Sequence, residues 1–181
     1  AMQCFQWFRE RNMTFACFMQ NEIAAFAGEA AAEDIYWCAP WNDPRAPRIL
    51  KGEEAVRRFT EGRVNKFVCI ERDREQLQAL GRRLETLPGL EITSSWADNY
   101  ELMPQGVSKG RAVKELAEKM GIGPDQVMTV GDFDNDLSMI EYAGYGTAMG
   151  NATPKVKAAA KYVTLTNDED GVAAAIRKYV L

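Results

Sequence analysis

Residues 130–136 of the chain read VGDFDND, which places Asp132, Asp134, Asn135 and Asp136 within five positions of one another. The apolar residues 127–130 precede this cluster and predict a short buried strand, and a helical pattern follows it. Ligands of open α/β sheets bind beyond the carboxyl ends of the strands, where helix N-termini also favour anions. The stretch therefore predicts an α/β fold with a ligand site at this strand end.

Crowded carboxylates destabilise a fold unless something neutralises them, and a hard divalent cation such as Mg²⁺ would do so. An EF-hand loop does not fit, because Leu137 stands where that loop needs glycine and Ala143 where it needs glutamate. Helix capping explains one or two of the four polar residues, and a solvated acidic loop is the remaining alternative. The whole cluster is best explained by a bound Mg²⁺ ion.

A lysine stands in an unusual place upstream, where residues 104–110 read PQGVSKG. Ser108 is a good N-cap, so Lys109 would occupy the first turn of a helix, where a positive charge opposes the helix dipole. Alone, Lys109 would be an ordinary solvated residue. Together with the acidic cluster it becomes a candidate ligand for a phosphoryl group.

The chain changes character near residue 104. Residues 1–103 mix helices and strands in an α+β pattern, whereas residues 104–181 alternate helix and strand, which predicts a parallel sheet covered on both sides. Predicted helices in the first part cover residues 1–11, 29–37, 53–61 and 73–87, and predicted strands cover 14–19, 22–26, 64–70, 90–95 and 99–103. In the second part, helices are expected to begin near residues 108, 137, 154 and 168, with strands at 127–130, 145–149 and 162–165.

The composition of the chain argues against several classes of partner and of catalysis. The 181 residues carry a net charge of −4, which does not favour nucleic acid as a partner, and contain no apolar run long enough to span a bilayer. The absence of histidine removes Ser-His-Asp and Cys-His catalysis. The four cysteines lack C-x-x-C spacing and are expected to be buried free thiols in a reducing cytoplasm.

Together these motifs resemble the haloacid dehalogenase superfamily of phosphohydrolases, and specifically its Cof-like sugar-phosphatase branch. GVSKG resembles the third motif of the family and GDFDND followed by LSMI its fourth, and the segments AGYGTAMGNATPKVKAAAKYVT and DEDGVAAAI continue the pattern. The resemblance implies a partial Rossmann-like parallel core at residues 104–181, preceded by a substrate-specificity cap at residues 1–103. It also implies Mg²⁺-dependent hydrolysis of phosphate monoesters of sugars or other small metabolites.

The resemblance also implies roles for individual residues. Asp132 would be a direct Mg²⁺ ligand, and Asp136 would hold a metal-bound water or orient Lys109. Asn135 would contact the phosphoryl group, and Lys109 would neutralise its oxygens. Asp134 occupies a variable position and receives no role. Asn151 is expected on a loop that faces the site.

One motif of the family is not found in these residues. The family's nucleophile is the first aspartate of an N-terminal D-x-D motif, but the D-x-D triplets here begin at Asp132, Asp134 and Asp168. The first two triplets belong to the fourth motif itself, and the third opens a helix without the required strand-to-loop arrangement before it. We therefore expect a C-terminal portion of a Cof-like phosphatase that is inactive alone. The alternatives are a non-catalytic binding or interaction protein that retains the fold and, third, a carbohydrate-phosphate binding module.

Two further expectations concern surfaces. In the family the motif-bearing strand lies beside the strand at residues 127–130, so we expect self-association through the strand edge from Val127 to Val130, or a mobile core. Trp41, Trp96 and Tyr100 are either substrate-facing aromatics or packing residues of the core and cap surface.

Overall fold

The computed structural model describes residues 2–20, 22–26 and 48–181 and divides the chain into two compact units. The first unit comprises Ala1–Ile92 and Ala97–Gln105, and the second comprises Thr93–Trp96 and Gly106–Leu181. Several features of the sequence lie outside the described residues. They are the helix predicted at residues 29–37, Cys38, Trp41 and, apart from Arg48, the turn-rich segment at residues 39–48.

The first unit is built on a six-stranded sheet whose order is β3-β2-β1-β4-β6-β5. Adjacent strands in the series β2-β1-β4-β6 run antiparallel, whereas β2 and β3 run parallel. The strands are β1 (Thr14–Phe18), β2 (Glu22–Phe26), β3 (Arg48–Leu50), β4 (Lys66–Ile70), β5 (Leu90–Thr93) and β6 (Asn99–Pro104). The sequence predicted all of these strands except β3, whose three residues follow directly on a proline-rich segment.

Three helices pack on one face of this sheet: α1 (Met2–Glu10), α2 (Gly52–Glu61) and α3 (Arg74–Leu84). Their contact with the sheet is an aromatic cluster in which Phe5 stacks on Phe59 at 4.0 Å and Phe15 stacks on Phe26 at 4.7 Å between ring centroids. Phe8 is fully buried among them. Each such side chain contributes about 1.5–3 kcal/mol by burial, so the first unit has a core of its own.

The predicted helix at residues 73–87 begins as expected and ends early. Asp73 Oδ1 accepts hydrogen bonds from the backbone N–H groups of Glu75 and Gln76 at 2.9 and 3.0 Å. The Asp73 N–H in turn donates to Glu71 Oε1 at 2.9 Å. The helix stops at Leu84, three residues before the predicted end.

Cys4, Cys17 and Cys69 are buried free thiols, as predicted for this residue type. Burial raises the pKa of all three and raises that of Cys69 to about 12. These thiols therefore act as small apolar core residues and not as nucleophiles.

The second unit contains a parallel sheet of order β7-β8-β9, which confirms the predicted α/β arrangement. Its strands are β7 (Met128–Gly131), β8 (Tyr145–Ala148) and β9 (Tyr162–Val163). Its helices are α4 (Lys109–Met120), α5 (Leu137–Tyr142), α6 (Pro154–Ala159) and α7 (Gly171–Tyr179). No helix in the described part of the chain combines the length and apolar character needed to cross a membrane.

The apolar residues of α4 and α7 are only partly buried. Ala117 is buried in α4, but Leu116 and Met120 are 59% and 63% exposed, and Val172 in α7 is 49% exposed. The last helix begins at Gly171 instead of Asp168, since residues 167–169 form a 3₁₀ turn. Helical spacing predicts which residues share a face, but not how much of that face another element covers.

We expect residues 1–181 to self-associate through β7. If they do not, the backbone amides of residues 127–130 should be poorly protected from hydrogen exchange. In the described sheet β7 is an edge strand, and an unpaired edge recruits other chains. Sedimentation across a concentration series, with hydrogen exchange of residues 127–130, measures both alternatives. A concentration-independent monomer with strongly protected amides there would contradict this prediction.

Candidate functional site

Three loops of the second unit lie at the carboxyl ends of its parallel strands. Residues 132–136 follow β7, residues 149–153 follow β8 and residues 164–170 follow β9. Because the strands run parallel, their carboxyl ends meet at one edge of the sheet. The acidic cluster of the first loop therefore faces the other two loops.

Asp136 is the buried centre of this edge, with only 5% of its surface exposed. Its Oδ2 accepts hydrogen bonds from the backbone N–H groups of Asp132 at 2.9 Å and Phe133 at 3.4 Å. Its Oδ1 pairs with the ammonium group of Lys109. Both carboxylate oxygens are thus engaged, so Asp136 is arranged to hold Lys109 and to close the loop onto itself.

The start of α4 brings Lys109 to Asp136. Ser108 caps the helix by accepting a hydrogen bond from the Arg111 N–H at 3.1 Å. The Gly110 N–H donates to Ser138 Oγ at 3.0 Å, and a Cβ on Gly110 would lie 2.3 Å from the Ser138 carbonyl oxygen. Only glycine permits this approach, which sets the first turn of α4 against α5. Asp136 thereby offsets the unfavourable position of a lysine at a helix N-terminus.

Asp132 is exposed at the end of β7 and is held by the loop after β8. Its Oδ2 accepts a hydrogen bond from Asn151 Nδ2 at 3.1 Å, and its backbone carbonyl accepts one from the Thr153 N–H at 2.9 Å. No hydrogen bond from the described residues occupies Asp132 Oδ1. This oxygen is the carboxylate oxygen of the cluster that stays open to solvent and to a cation.

Asp134 and Asn135 form hydrogen bonds with residues outside the loop of residues 132–136. Asp134 accepts hydrogen bonds from Lys155 Nζ at 3.2 Å and Thr153 Oγ1 at 3.5 Å, which ties it to the start of α6. The Asn135 N–H donates to the Ser94 carbonyl at 3.0 Å, and its side chain is half-buried. The sequence analysis did not predict the contact of Lys155 with Asp134 or that of Ser94 with Asn135. The dipeptide Thr153-Pro154 indicated a helix start near Lys155, whereas no feature of the sequence indicated Ser94.

Among the described residues, no set of three or more acidic, cysteine or histidine side chains is arranged to share a metal ion. Within the acidic cluster of residues 132–136, Asp132 offers an open carboxylate oxygen, which fits one ligand of a Mg²⁺ ion that takes its other ligands from water and phosphate. Asp136 is engaged elsewhere in this arrangement, because its Oδ1 pairs with Lys109 and its Oδ2 accepts two backbone N–H groups.

Of the three candidate aromatic residues, Trp96 and Tyr100 lie in the part of the chain that the structure describes. Tyr100 packs against the core of the first unit, and a Cβ on Gly81 would lie 2.4 Å from its hydroxyl oxygen. Burial raises the pKa of Tyr100. Tyr100 is thus a packing residue, whereas Trp96 in the second unit is 38% exposed.

The family of haloacid dehalogenase-like hydrolases matches residues 1–176 of the chain. The chain belongs to this family. The predicted superfamily and its Cof-like branch are confirmed, and so is the fold class. A solved haloacid dehalogenase-like hydrolase from B. subtilis superposes with a TM-score of 0.82 at 29% identity, covering 99% of this chain and 70% of that one.

Several curated relatives of the chain are phosphatases. The 5-amino-6-(5-phospho-D-ribitylamino)uracil phosphatase YcsE of Bacillus subtilis (strain 168) is 50% identical over 92 residues, which are 51% of this chain and 37% of the relative. The pyridoxal phosphate phosphatase YbhA of Escherichia coli (strain K12) is 39% identical over 116 residues, which are 64% of this chain and 43% of the relative. The matches thus span less than half of either relative.

Proposed function

We propose that this chain supplies the Mg²⁺- and phosphate-binding residues of a phosphatase that hydrolyses monoesters of small phosphorylated metabolites. The observation that carries the proposal is the buried Asp136 carboxylate, which joins Lys109 to the loop of Asp132 at the carboxyl ends of the strands. In this arrangement Asp136 connects a positive charge, that of Lys109, with the residue that carries an open carboxylate oxygen, Asp132. A phosphate group and its metal ion need this combination.

Each residue has a separate task in this proposal. The half-exposed ammonium group of Lys109 neutralises phosphoryl oxygens, and Asp136 keeps that group in place. Asn135 donates to the phosphoryl group from its side-chain amide. Asp132 holds the Mg²⁺ ion through its open oxygen, and the bound ion supplies positive charge against the charge that develops on the phosphoryl oxygens.

The nucleophile of the proposed reaction is not among these 181 residues. Hydrolysis through an aspartyl-phosphate needs one carboxylate to attack phosphorus and another to transfer a proton. We propose that both belong to a D-x-D motif that the chain does not contain, so that residues 1–181 are inactive alone. A D-x-D motif encoded upstream in the same reading frame would support the enzyme, and its absence would favour the non-catalytic binding protein.

The first unit is proposed to be the cap that selects the substrate. The relatives named above are phosphatases of a phosphorylated ribitylamino-uracil and of pyridoxal phosphate. Their common feature is a small phosphorylated metabolite, and a sugar phosphate or a similar compound is the substrate class that we propose. Three buried free thiols are compatible with a reducing cytoplasm as the compartment.

The Mg²⁺ assignment is tested by titrating ¹⁵N-labelled chain with Mg²⁺ and following the amides of residues 131–137. We expect weak, saturable shifts in wild type and an affinity at least about tenfold lower in Asp132→Asn, because the variant replaces the open carboxylate oxygen with an amide. Asp134→Asn is the matched control, since it removes the same charge from the same loop.

The two variants separate coordination from general electrostatics. Asp134 is committed to Lys155 and Thr153, so Asp134→Asn is expected to retain wild-type affinity within about twofold. Equal losses in both variants would mean that Mg²⁺ senses only the local charge. An Asp132→Asn chain that binds like wild type would refute Asp132 as the ligand.

A further inference from the structure

Asn151 links the three loops at the carboxyl ends of the strands. It lies in the loop after β8, and its Nδ2 donates to Asp132 Oδ2 in the loop after β7 at 3.1 Å. Its Oδ1 accepts from the Asn167 N–H in the loop after β9 at 3.0 Å. One amide therefore bridges the ends of all three strands within the second unit.

The chemistry of the two partners fixes the orientation of the Asn151 amide. A backbone N–H can only donate, so the Asn151 atom that faces Asn167 must be the oxygen. The amide nitrogen then points to Asp132 Oδ2, which accepts the hydrogen bond. The reversed amide would place two donors together on one side and two acceptors on the other. The observed orientation is thus the only one that satisfies both neighbours.

This bridge restrains a side chain that would otherwise be free. Asp132 is exposed, and an exposed carboxylate samples several rotamers. The Thr153 N–H holds its backbone carbonyl, and the Asn151 amide holds its Oδ2. The carboxylate consequently presents Oδ1 outward in a defined direction before any ligand arrives, and this order lowers the entropy cost of binding.

We propose that Asn151 is a positioning residue that orients Asp132 for the divalent cation, with the loop after β9 as its anchor. This inference rests on the proposed function, because it assumes that Asp132 holds Mg²⁺. Asn151 itself contacts neither the cation nor the phosphoryl group. It acts on the carboxylate oxygen that the cation does not use, as partners of metal ligands commonly do.

The same Mg²⁺ titration tests this role with Asn151→Ala. We expect its dissociation constant for Mg²⁺ to rise about tenfold, at the lower end of what loss of such a partner costs. Asn167→Ala is the matched control, because it removes an amide from the same edge but keeps the backbone N–H that Asn151 uses. Its affinity should match wild type within about twofold.

A crystal structure of Asn151→Ala gives a readout independent of the metal, since the Asp132 carboxylate should turn or occupy several rotamers there. Wild-type affinity in Asn151→Ala, with Asp132→Asn still impaired, would overturn this role and leave the proposed function intact. If Asp132→Asn binds like wild type, the proposed function fails and this role with it. An equal loss of Mg²⁺ affinity in Asn167→Ala would also overturn the role. That variant keeps the backbone N–H bound by Asn151, so the loss would come from a general disturbance of the loop after β9 and not from the Asn151 bridge.

Discussion

Purified residues 1–181 are expected to release no phosphate from p-nitrophenyl phosphate or sugar phosphates with Mg²⁺ above the uncatalysed rate. The proposed route needs a free carboxylate as nucleophile and an acid two residues later in the same loop. The chain has D-x-D triplets beginning at Asp132, Asp134 and Asp168. The structure gives a separate reason why each of them fails.

Two of the three carboxylates in the first two triplets are already engaged by other partners. Asp136 uses both oxygens on Lys109 and on backbone N–H groups, and Asp134 pairs with Lys155 on the side of α6. Asp132 keeps one open oxygen, but its partner two residues later, Asp134, is held by another helix. Asp134 is therefore not placed to transfer a proton in an attack by Asp132.

The third triplet fails for a reason of backbone geometry. Asp168 lies in a 3₁₀ turn and accepts a hydrogen bond from Asn167 Nδ2 at 3.1 Å. Asp170 has a φ of 57°, a left-handed conformation that ends this turn before α7. Asp168 and Asp170 therefore serve the turn between β9 and α7, and neither follows a strand directly.

Phosphate release at substrate saturation is the measurement, with Lys109→Ala as the control for contaminating phosphatases. Activity that persists in Lys109→Ala belongs to a contaminant. Magnesium-dependent turnover by wild type that Lys109→Ala abolishes would contradict the expectation. It would mean that a carboxylate of this chain attacks phosphorus after all.

The features that the sequence predicted correctly depend on local chemistry. Asp73, Ser108 and Thr153 each accept a backbone N–H at the start of a helix that the sequence predicted, and Gly121 adopts a φ of 70° where α4 ends. These residues act within one helical turn, so short motifs suffice to find them. The alternation of strand and helix likewise predicts a parallel sheet, because parallel neighbours require long crossovers.

The features that the sequence did not reveal depend on distant partners. Lys155 reaches Asp134 across 21 positions, and the Ser94 carbonyl accepts from the Asn135 N–H across 41. Neither contact has a local signal. The exposure of Leu116 and Met120 has the same origin, because burial depends on which element covers a face. The acidic cluster is visible in the sequence of residues 130–136. Which partner each of its side chains binds, however, depends on these distant contacts.

Gly131→Ala is expected to lower the free energy of unfolding of the second unit by about 2–4 kcal/mol and to abolish Mg²⁺ binding. A Cβ at this position would lie 2.4 Å from Cβ and 2.6 Å from Cγ of Asp136, closer than real atoms approach. Asp136 is buried and cannot swing into solvent. It must therefore move away from the Asp132 N–H or from Lys109, and either shift takes one of its partners from a buried charge.

Gly123→Ala separates this effect from the general cost of replacing a glycine in the second unit. A Cβ on Gly123 would lie 2.5 Å from an atom of Asp125, which is the Oδ1 at the end of an exposed, flexible side chain. That oxygen can rotate away, so Gly123→Ala should change stability by less than about 1 kcal/mol. Thermal unfolding and the Mg²⁺ titration of both variants measure the difference. If Gly131→Ala were as stable as Gly123→Ala and still bound Mg²⁺, the close packing of Gly131 against Asp136 could not be what holds the site together.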